Sequence, residues 1–253
     1  MARGRIAVIV CLLAGCADIQ PNEPDEPDES SSDAAPDIDE DLDAGQTAAP
    51  DADPLDPDAG PGDELTRIFG AADFQDTYVR LNNPTFNYGG VNRMCADTTT
   101  DDRRMLIRVD VSSLAAGVEV TGAELHIWTG TAANDLSTQI YSAYPMLESW
   151  TEGNLSAAAG TASWNQRSSN TAWTTAGAGT GSRAASAVGS FIPAAIDTEY
   201  TIDLEVDMVQ GWVDDAATNH GITIVSAGED GGCFDTSEFA TASKRPSLVV
   251  TYR

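Results

Sequence analysis

This chain contains few residues that could pair a catalytic nucleophile with a general base. The histidines are His126 and His220, and His220 stands in an Asn-His-Gly stretch that is typical of a turn. No Gly-x-Ser-x-Gly motif is present to hold a reactive serine on a strand-to-helix turn. Among the 22 acidic residues from position 66 onward, no carboxylate pair stands out by spacing as the acid and nucleophile of a glycosidase. The sequence therefore predicts no enzyme and directs attention to binding.

Two segments carry cationic and aromatic side chains at alternating positions. Residues 105–109 and 123–128 place apolar side chains at every second position, as strands do when one face lies on a core. This alternation directs Arg104 and Arg108 outward from one strand, and His126 and Trp128 outward from the other. If the two strands lie side by side, these residues form one basic and aromatic patch.

Such a patch is chemically suited to an acidic sugar. An aromatic face can stack on a pyranose ring, and an arginine can bind a carboxylate through paired hydrogen bonds. We therefore take the patch as the candidate ligand site. The alternative is that long loops cover this face and that Trp128 is simply buried.

Short alternating segments separated by turn residues account for most of the apolar positions after residue 65. The predicted strands are residues 78–81, 105–109, 123–128, 201–204, 221–225 and 247–251. Helical spacing occurs over residues 205–213. Its apolar side consists of Val206, Val209, Trp212 and Val213. Many short strands and one short helix predict a single all-β domain over residues 66–253, an antiparallel and jelly-roll-like β-sandwich.

Two stretches rich in Gly, Ala, Ser and Thr, residues 130–139 and 154–190, are predicted to be loops. The second is unusually long for a loop. We expect Trp150, Trp164, Trp173 and Trp212 to be packed within the domain, as large aromatic side chains usually are. Trp173 lies within the long stretch and is expected to be the least constrained of these four.

Residues 1–15 indicate a leader peptide. Arg3 and Arg5 precede an apolar run that is too short to span a bilayer. The run ends in Leu-Ala-Gly before Cys16, which resembles the lipobox of bacterial lipoproteins. That resemblance implies cleavage before Cys16 and acylation of its thiol, and Ala17 suggests sorting to the outer membrane. The alternative is an ordinary secretory signal with an incidental cysteine.

Residues 16–65 have the composition of a disordered tether. Residues 17–65 contain 18 acidic residues, eight of the twelve prolines and no Lys or Arg. Such a stretch cannot bury enough apolar surface to offset the entropy of ordering it. The whole chain has a formal net charge of −27, which argues against nucleic acid as a partner because phosphate binding needs a cationic surface.

Several short motifs follow one another through residues 66–253. They are Asp76-Thr77-Tyr78-Val79, Asn87-Tyr88-Gly89-Gly90, Trp150-Thr151-Glu152-Gly153, Asn219-His220-Gly221-Ile222 and Phe234-Asp235-Thr236-Ser237-Glu238. Their order resembles the DNRLRE domain, also called carbohydrate-binding module family 96. The resemblance implies an extracellular β-sandwich that binds polysaccharide, with alginate-like acidic glycans as the known ligand class.

The cysteines of the domain are expected to form a disulfide. If Cys16 is acylated, the mature chain keeps Cys95 and Cys233, and one remaining pair in an exported protein indicates a disulfide. Two free thiols or a metal pair are the alternatives.

We expect no required cofactor, although a structural calcium ion is a candidate. Jelly-roll binding modules often hold Ca²⁺ between an N-terminal and a C-terminal acid. By analogy, Asp76 and Glu238 are the candidate metal ligands. The alternative is that these two acids bond to backbone groups or cap strand ends.

The sequence thus predicts an exported protein, anchored by lipid at the outer membrane or cell surface, that binds polysaccharide without catalysis, with uronates as the candidate sugars. The alternative function is a structural or adhesion module of the cell envelope with a protein partner and no affinity for sugar. The net charge of −11 over residues 66–253 repels an anionic glycan at long range. Local arginines or Ca²⁺ must offset this repulsion, or else the ligand is neutral.

Overall fold

The computed structural model describes residues 62–253. The predicted leader, Cys16 and the tether up to residue 61 lie outside the described residues. The strands are β1 (Leu65–Phe69), β2 (Phe74–Arg80), β3 (Phe86–Asn87), β4 (Arg93–Ala96), β5 (Arg103–Val109), β6 (Val120–Trp128), β7 (Tyr141–Pro145), β8 (Ala158–Ala159), β9 (Gln166–Ser168), β10 (Thr171–Ala172), β11 (Gly189–Phe191), β12 (Glu199–Asp203), β13 (Ile222–Ser226), β14 (Gly232–Asp235) and β15 (Ser247–Tyr252). The helices are α1 (Val206–Asp214) and four 3₁₀ turns, Ala71–Asp73, Ala133–Asp135, Ala216–Thr218 and Ala242–Lys244.

Two antiparallel sheets form the body of the domain. The four-stranded sheet has the order β1-β15-β6-β12, and the five-stranded sheet has the order β11-β7-β13-β5-β2. Side chains of both sheets meet in one apolar core, where Met105 and Ile107 of β5 lie with Leu125 and Ile127 of β6. These are the inward positions that the alternation predicted. The predicted β-sandwich is confirmed.

Most of the predicted strands are longer than the alternation alone indicated. β2 begins at Phe74 rather than at residue 78, because it pairs with β5 along its whole length, from Phe74 opposite Val109 to Arg80 opposite Arg103. Its first half carries Asp76 and Thr77, which are polar but fully buried. An alternation of apolar and polar residues cannot reveal a strand in which polar side chains occupy buried positions.

The long stretch of small residues packs against the sandwich. Val79 and Leu106 point outward from the five-stranded sheet and yet have no exposed surface, because a second apolar cluster that includes Trp150, Trp164 and Trp173 covers them. The expectation that Trp173 would be the least constrained tryptophan is wrong, since it is buried and its indole N–H donates to the Ser163 carbonyl. Residues 150–178, which carry these three rings, thus cover the outer face of the five-stranded sheet, and we call them the covering layer.

A close contact at Gly177 shows how tightly this layer is packed. Gly177 has a φ of +71°, and a Cβ there would lie 2.6 Å from the Trp164 ring. Only glycine fits that approach without displacing the ring. The layer therefore has a defined conformation, which the composition of its sequence did not predict.

The predicted disulfide is confirmed. β4 and β14 form a two-stranded antiparallel ribbon in which Cys95 lies directly opposite Cys233, and the two are bonded. The bond joins residues separated by 138 positions in the sequence. It thereby ties β4, in the early part of the domain, to β14, close to its C-terminal end.

Helix α1 is close to the predicted helix in extent and in orientation. Its inward side consists of Val209, Trp212 and Val213, all buried in the main core. No helix within residues 62–253 has the length and apolar character needed to cross a bilayer.

Candidate functional site

The four residues predicted to form one patch lie on two different sheets. Arg104 and Arg108 belong to β5, which pairs with β2 and β13. His126 and Trp128 belong to β6, which pairs with β12 and β15. The prediction of a single patch is therefore wrong. Alternation determines which face a side chain occupies, but it does not determine which strand lies alongside.

His126 and Trp128 lie on the outer face of the four-stranded sheet in acidic surroundings. The His126 ring nitrogens are 3.5 Å from a carboxylate oxygen of Glu124 and 3.6 Å from one of Glu199. Trp128 is half-buried, and the ammonium of Lys244 lies 5.5 Å from the centre of a Trp128 ring. Neither residue adjoins an arginine of β5, so this face lacks the expected pairing of arginine with tryptophan.

Arg104 holds the covering layer on the sheet. Its guanidinium lies 5.0 Å from the centre of the Trp164 ring, donates to the Gly177 carbonyl at 2.9 Å and pairs with Asp102 at 2.6 Å. The sequence left open the alternative that long loops cover the face carrying the predicted patch. Around Arg104, on the outer face of the five-stranded sheet, this is what the structure shows. Both terminal nitrogens of Arg104 are thus bonded within the protein, to the Gly177 carbonyl and to Asp102.

Arg108 lines an open cleft. The guanidinium packs 5.5 Å from the centre of the Trp150 ring and donates to the side-chain carbonyl of Gln75. The cleft has a volume of about 200 Å³. Its polar lining consists of Asp73, Gln75, Arg108, Asp110, Ser112 and Asn219, and we call it the Arg108 cleft.

Backbone hydrogen bonds fix the walls of the Arg108 cleft. The Asp110 N–H donates to the Asp73 carbonyl at 2.8 Å, and the Asn219 side chain donates to the Val109 carbonyl at 2.7 Å. Burial lowers the pKa of Arg108, while the charges of Glu152 and Asp110 act in the opposite direction. The result is a half-buried cation beside amide, hydroxyl and carboxylate groups, a combination that can bind sugar hydroxyls and a carboxylate.

A second polar site lies at the edge of the sandwich beside β2. Asp76, Glu152 and Glu238, the carboxylate trio, each offer an oxygen, and these oxygens all lie within 4.8 Å of one another. The Asp76 N–H donates to Glu152 Oε1 at 2.7 Å, and the Ser237 N–H donates to Asp76 Oδ2 at 2.9 Å. The structure thus brings the predicted ligands Asp76 and Glu238 together and adds Glu152.

The carboxylate trio fits a hard divalent cation. Asp76 has no exposed surface, and its Oδ1 has no hydrogen-bond partner among residues 62–253. Burial first, and then the charge of Glu238, raises the pKa of Asp76 to about 8. Burial raises the pKa of Glu152 to about 7, with the charge of Glu238 adding in the same direction. A cation would relieve this crowding of negative charge, and the all-oxygen donor set suits Ca²⁺.

Glu152 was missed in the sequence because its partner is 76 residues away along the chain. The signal available was its place in the Trp150-Thr151-Glu152-Gly153 motif. That motif marks a position without indicating what lies next to it in space.

Comparison with known proteins agrees with this architecture. The sequence profile of carbohydrate-binding module family 96 matches residues 70–252. The match includes both the Arg108 cleft and the carboxylate trio, and it leaves out β1. A search of curated proteins finds no match.

Proposed function

The chain belongs to carbohydrate-binding module family 96, and from this premise we propose that its β-sandwich binds polysaccharide without catalysis. We place the sugar in the Arg108 cleft. At about 200 Å³ the cleft is smaller than the roughly 300–1,000 Å³ of pockets that enclose a drug-sized ligand. It is suited to one sugar residue of a longer chain.

The observation that supports the proposal is that Arg108, in an acidic domain, lines the cleft without a carboxylate at salt-bridge distance among residues 62–253. Several cations of the described domain face a carboxylate within salt-bridge distance: Arg80, Arg93, Arg103, Arg104, Lys244 and Arg253. Other arginines of residues 62–253 also lack a carboxylate at that distance, but of these only Arg108 lines the cleft, where it donates to the neutral amide of Gln75. Because no carboxylate of the described residues forms an ion pair with it, a ligand carboxylate can do so, which favours a uronate over a neutral sugar.

Replacing Arg108 with glutamine is expected to weaken uronate binding about 10- to 150-fold. The reason is the loss of a charged hydrogen bond, worth about 1.5–3 kcal/mol. Affinity electrophoresis through gels that contain a uronate polymer, followed by calorimetry with a uronate oligosaccharide, measures the change.

Lys244→Gln is the matched control. Like Arg108→Gln it removes one positive charge that lies beside a tryptophan, but this tryptophan is Trp128, on the other sheet. Trp128→Ala tests the patch first expected from the sequence. Both variants should bind as the unaltered protein does. If Arg108→Gln also kept full affinity while folded, the cleft assignment would be wrong. A folded domain that bound no glycan would leave the adhesion module as the better function.

We also propose that the carboxylate trio holds a structural Ca²⁺. Its support is the fully buried Asp76, whose unpartnered Oδ1 lies with Glu152 and Glu238 in an all-oxygen cluster. A cation there would link β2, the covering layer and the segment after β14.

Lipid anchoring belongs to the same proposal. The Leu-Ala-Gly-Cys16 ending of the leader supports it, and the disulfide agrees with export to an oxidising compartment. The mass of the mature N-terminal peptide is expected to correspond to acylated Cys16. An unmodified peptide that begins elsewhere would exclude the anchor.

A further inference from the structure

The carboxylate trio and the Arg108 cleft share one residue. Glu152 belongs to the trio, and its charge also acts on Arg108: each of the two charges favours the ionised form of the other. A divalent ion bound at the trio would therefore compete with Arg108 for the negative charge of Glu152.

Adjacent residues of the backbone connect the two sites. On β2, Gln75 lines the cleft and accepts a hydrogen bond from Arg108. The next residue, Asp76, belongs to the trio. In the covering layer, Trp150 packs beneath the Arg108 guanidinium, and Glu152 follows two residues later. Both sites are thus built on β2 and on the covering layer. A shift of either segment at one site would therefore move residues of the other site.

We propose that occupancy of the carboxylate trio by a divalent cation and binding of an anionic sugar at Arg108 strengthen each other. This inference rests on the proposed function, since it needs the sugar to bind in the Arg108 cleft. The cation would neutralise Glu152 and reduce its hold on Arg108. It would also remove negative charge close to the cleft, where a carboxylate ligand would otherwise be repelled.

The coupling must be equal in both directions. If Ca²⁺ increases the affinity for a uronate by some factor, the uronate must increase the affinity for Ca²⁺ by the same factor. Coupling between sites is typically about 5- to 150-fold. Because Glu152 is half-buried, belongs to the trio and acts through its charge on Arg108, we expect at least about fivefold here.

The test is a set of four calorimetric titrations on the purified chain. Ca²⁺ is titrated with and without a saturating uronate trisaccharide, and the trisaccharide is titrated with Ca²⁺ and with chelator. A trisaccharide is used because long polyuronates bind Ca²⁺ themselves, and a blank titration of Ca²⁺ into trisaccharide corrects for the remainder. A neutral trisaccharide of equal length should leave Ca²⁺ affinity unchanged.

Two variants separate the coupling from simple loss of the metal. Glu152→Gln should bind the uronate in chelator about as tightly as the calcium-loaded protein does, because the competing charge is gone. Glu238→Gln removes a more exposed member of the trio and should weaken Ca²⁺ binding, so a given Ca²⁺ concentration should raise the uronate affinity of this variant less than that of the unaltered protein. Thermal melting of both variants establishes that they are folded.

The outcomes distinguish failure of the coupling from failure of the proposed function. Equal uronate affinity with Ca²⁺ and with chelator, in a protein shown to bind Ca²⁺, overturns the coupling and leaves the proposed function intact. Uronate binding without any Ca²⁺ binding also overturns the coupling. Absence of uronate binding in both conditions overturns the proposed function itself.

Discussion

Replacing Cys95 and Cys233 together with alanine is expected to lower the free energy of unfolding by about 2–5 kcal/mol. The disulfide joins residues 138 positions apart, so it removes much of the freedom of the unfolded chain. Its ends lie directly opposite each other on β4 and β14, so the folded state already holds them in place. The effect should therefore arise mainly in the unfolded state.

Urea unfolding followed by tryptophan fluorescence measures this loss. The unaltered protein with its disulfide reduced is the matched control, because it loses the same cross-link without losing a side chain. Both samples should unfold at a lower urea concentration than the oxidised protein. Coincident unfolding curves for all three would show that the cross-link contributes nothing to stability.

Raising the pH in the presence of a chelator is expected to destabilise the domain, and Ca²⁺ is expected to reverse this. Asp76 and Glu152 have pKa values of about 8 and about 7, above those of the unfolded chain. Folding then favours the protonated forms. That contribution is fully present below the unfolded pKa and is lost as the pH rises through 7 and 8.

Calcium should act in the opposite sense, because ionised carboxylates bind it. Its stabilisation follows the ratio of its concentration to its Kd, about 2.7 kcal/mol at a hundredfold excess and about 4.1 kcal/mol at a thousandfold excess. The gap between melting temperatures with Ca²⁺ and with chelator should therefore widen from pH 6 to pH 9.

Melting temperatures at pH 6, 7, 8 and 9 provide the measurement. Asp76→Asn should remove most of both effects, whereas Asp203→Asn, which alters an exposed acid of β12, should retain them. Burial also raises the pKa of Asp235, to about 6, so the comparison is clearest between pH 7 and pH 9. A gap of constant size across that range would contradict the assignment of the trio.

The spacing of apolar residues predicts well those features that depend only on residues close together in the sequence. The alternation around Met105 and Leu125 assigned the inward faces of β5 and β6 correctly, because successive side chains of a strand must point to opposite sides. The spacing of Val209 and Trp212 identified the buried side of α1 for the same kind of reason. The faces of the elements could therefore be predicted from the sequence.

Pairing between distant segments could not be predicted in this way. Nothing in residues 104–108 or 126–128 states that β5 and β6 belong to different sheets. Glu152 joins Asp76 only because the covering layer folds back across β2, and that layer packs through Trp164 and Trp173 within a segment whose composition is typical of a loop. Long-range contacts of this kind depend on how side chains fit together, which the spacing of residue types does not contain.

The position of β1 has a mechanical consequence. β1 lies outside the family match, yet it pairs with β15 from Leu65 opposite Tyr252 to Phe69 opposite Leu248. If the chain is held ahead of Leu65 by the proposed anchor while a glycan pulls at the cleft, which Asp73 lines, tension runs along β1. The β1–β15 hydrogen bonds would then be loaded together in shear and not opened one after another.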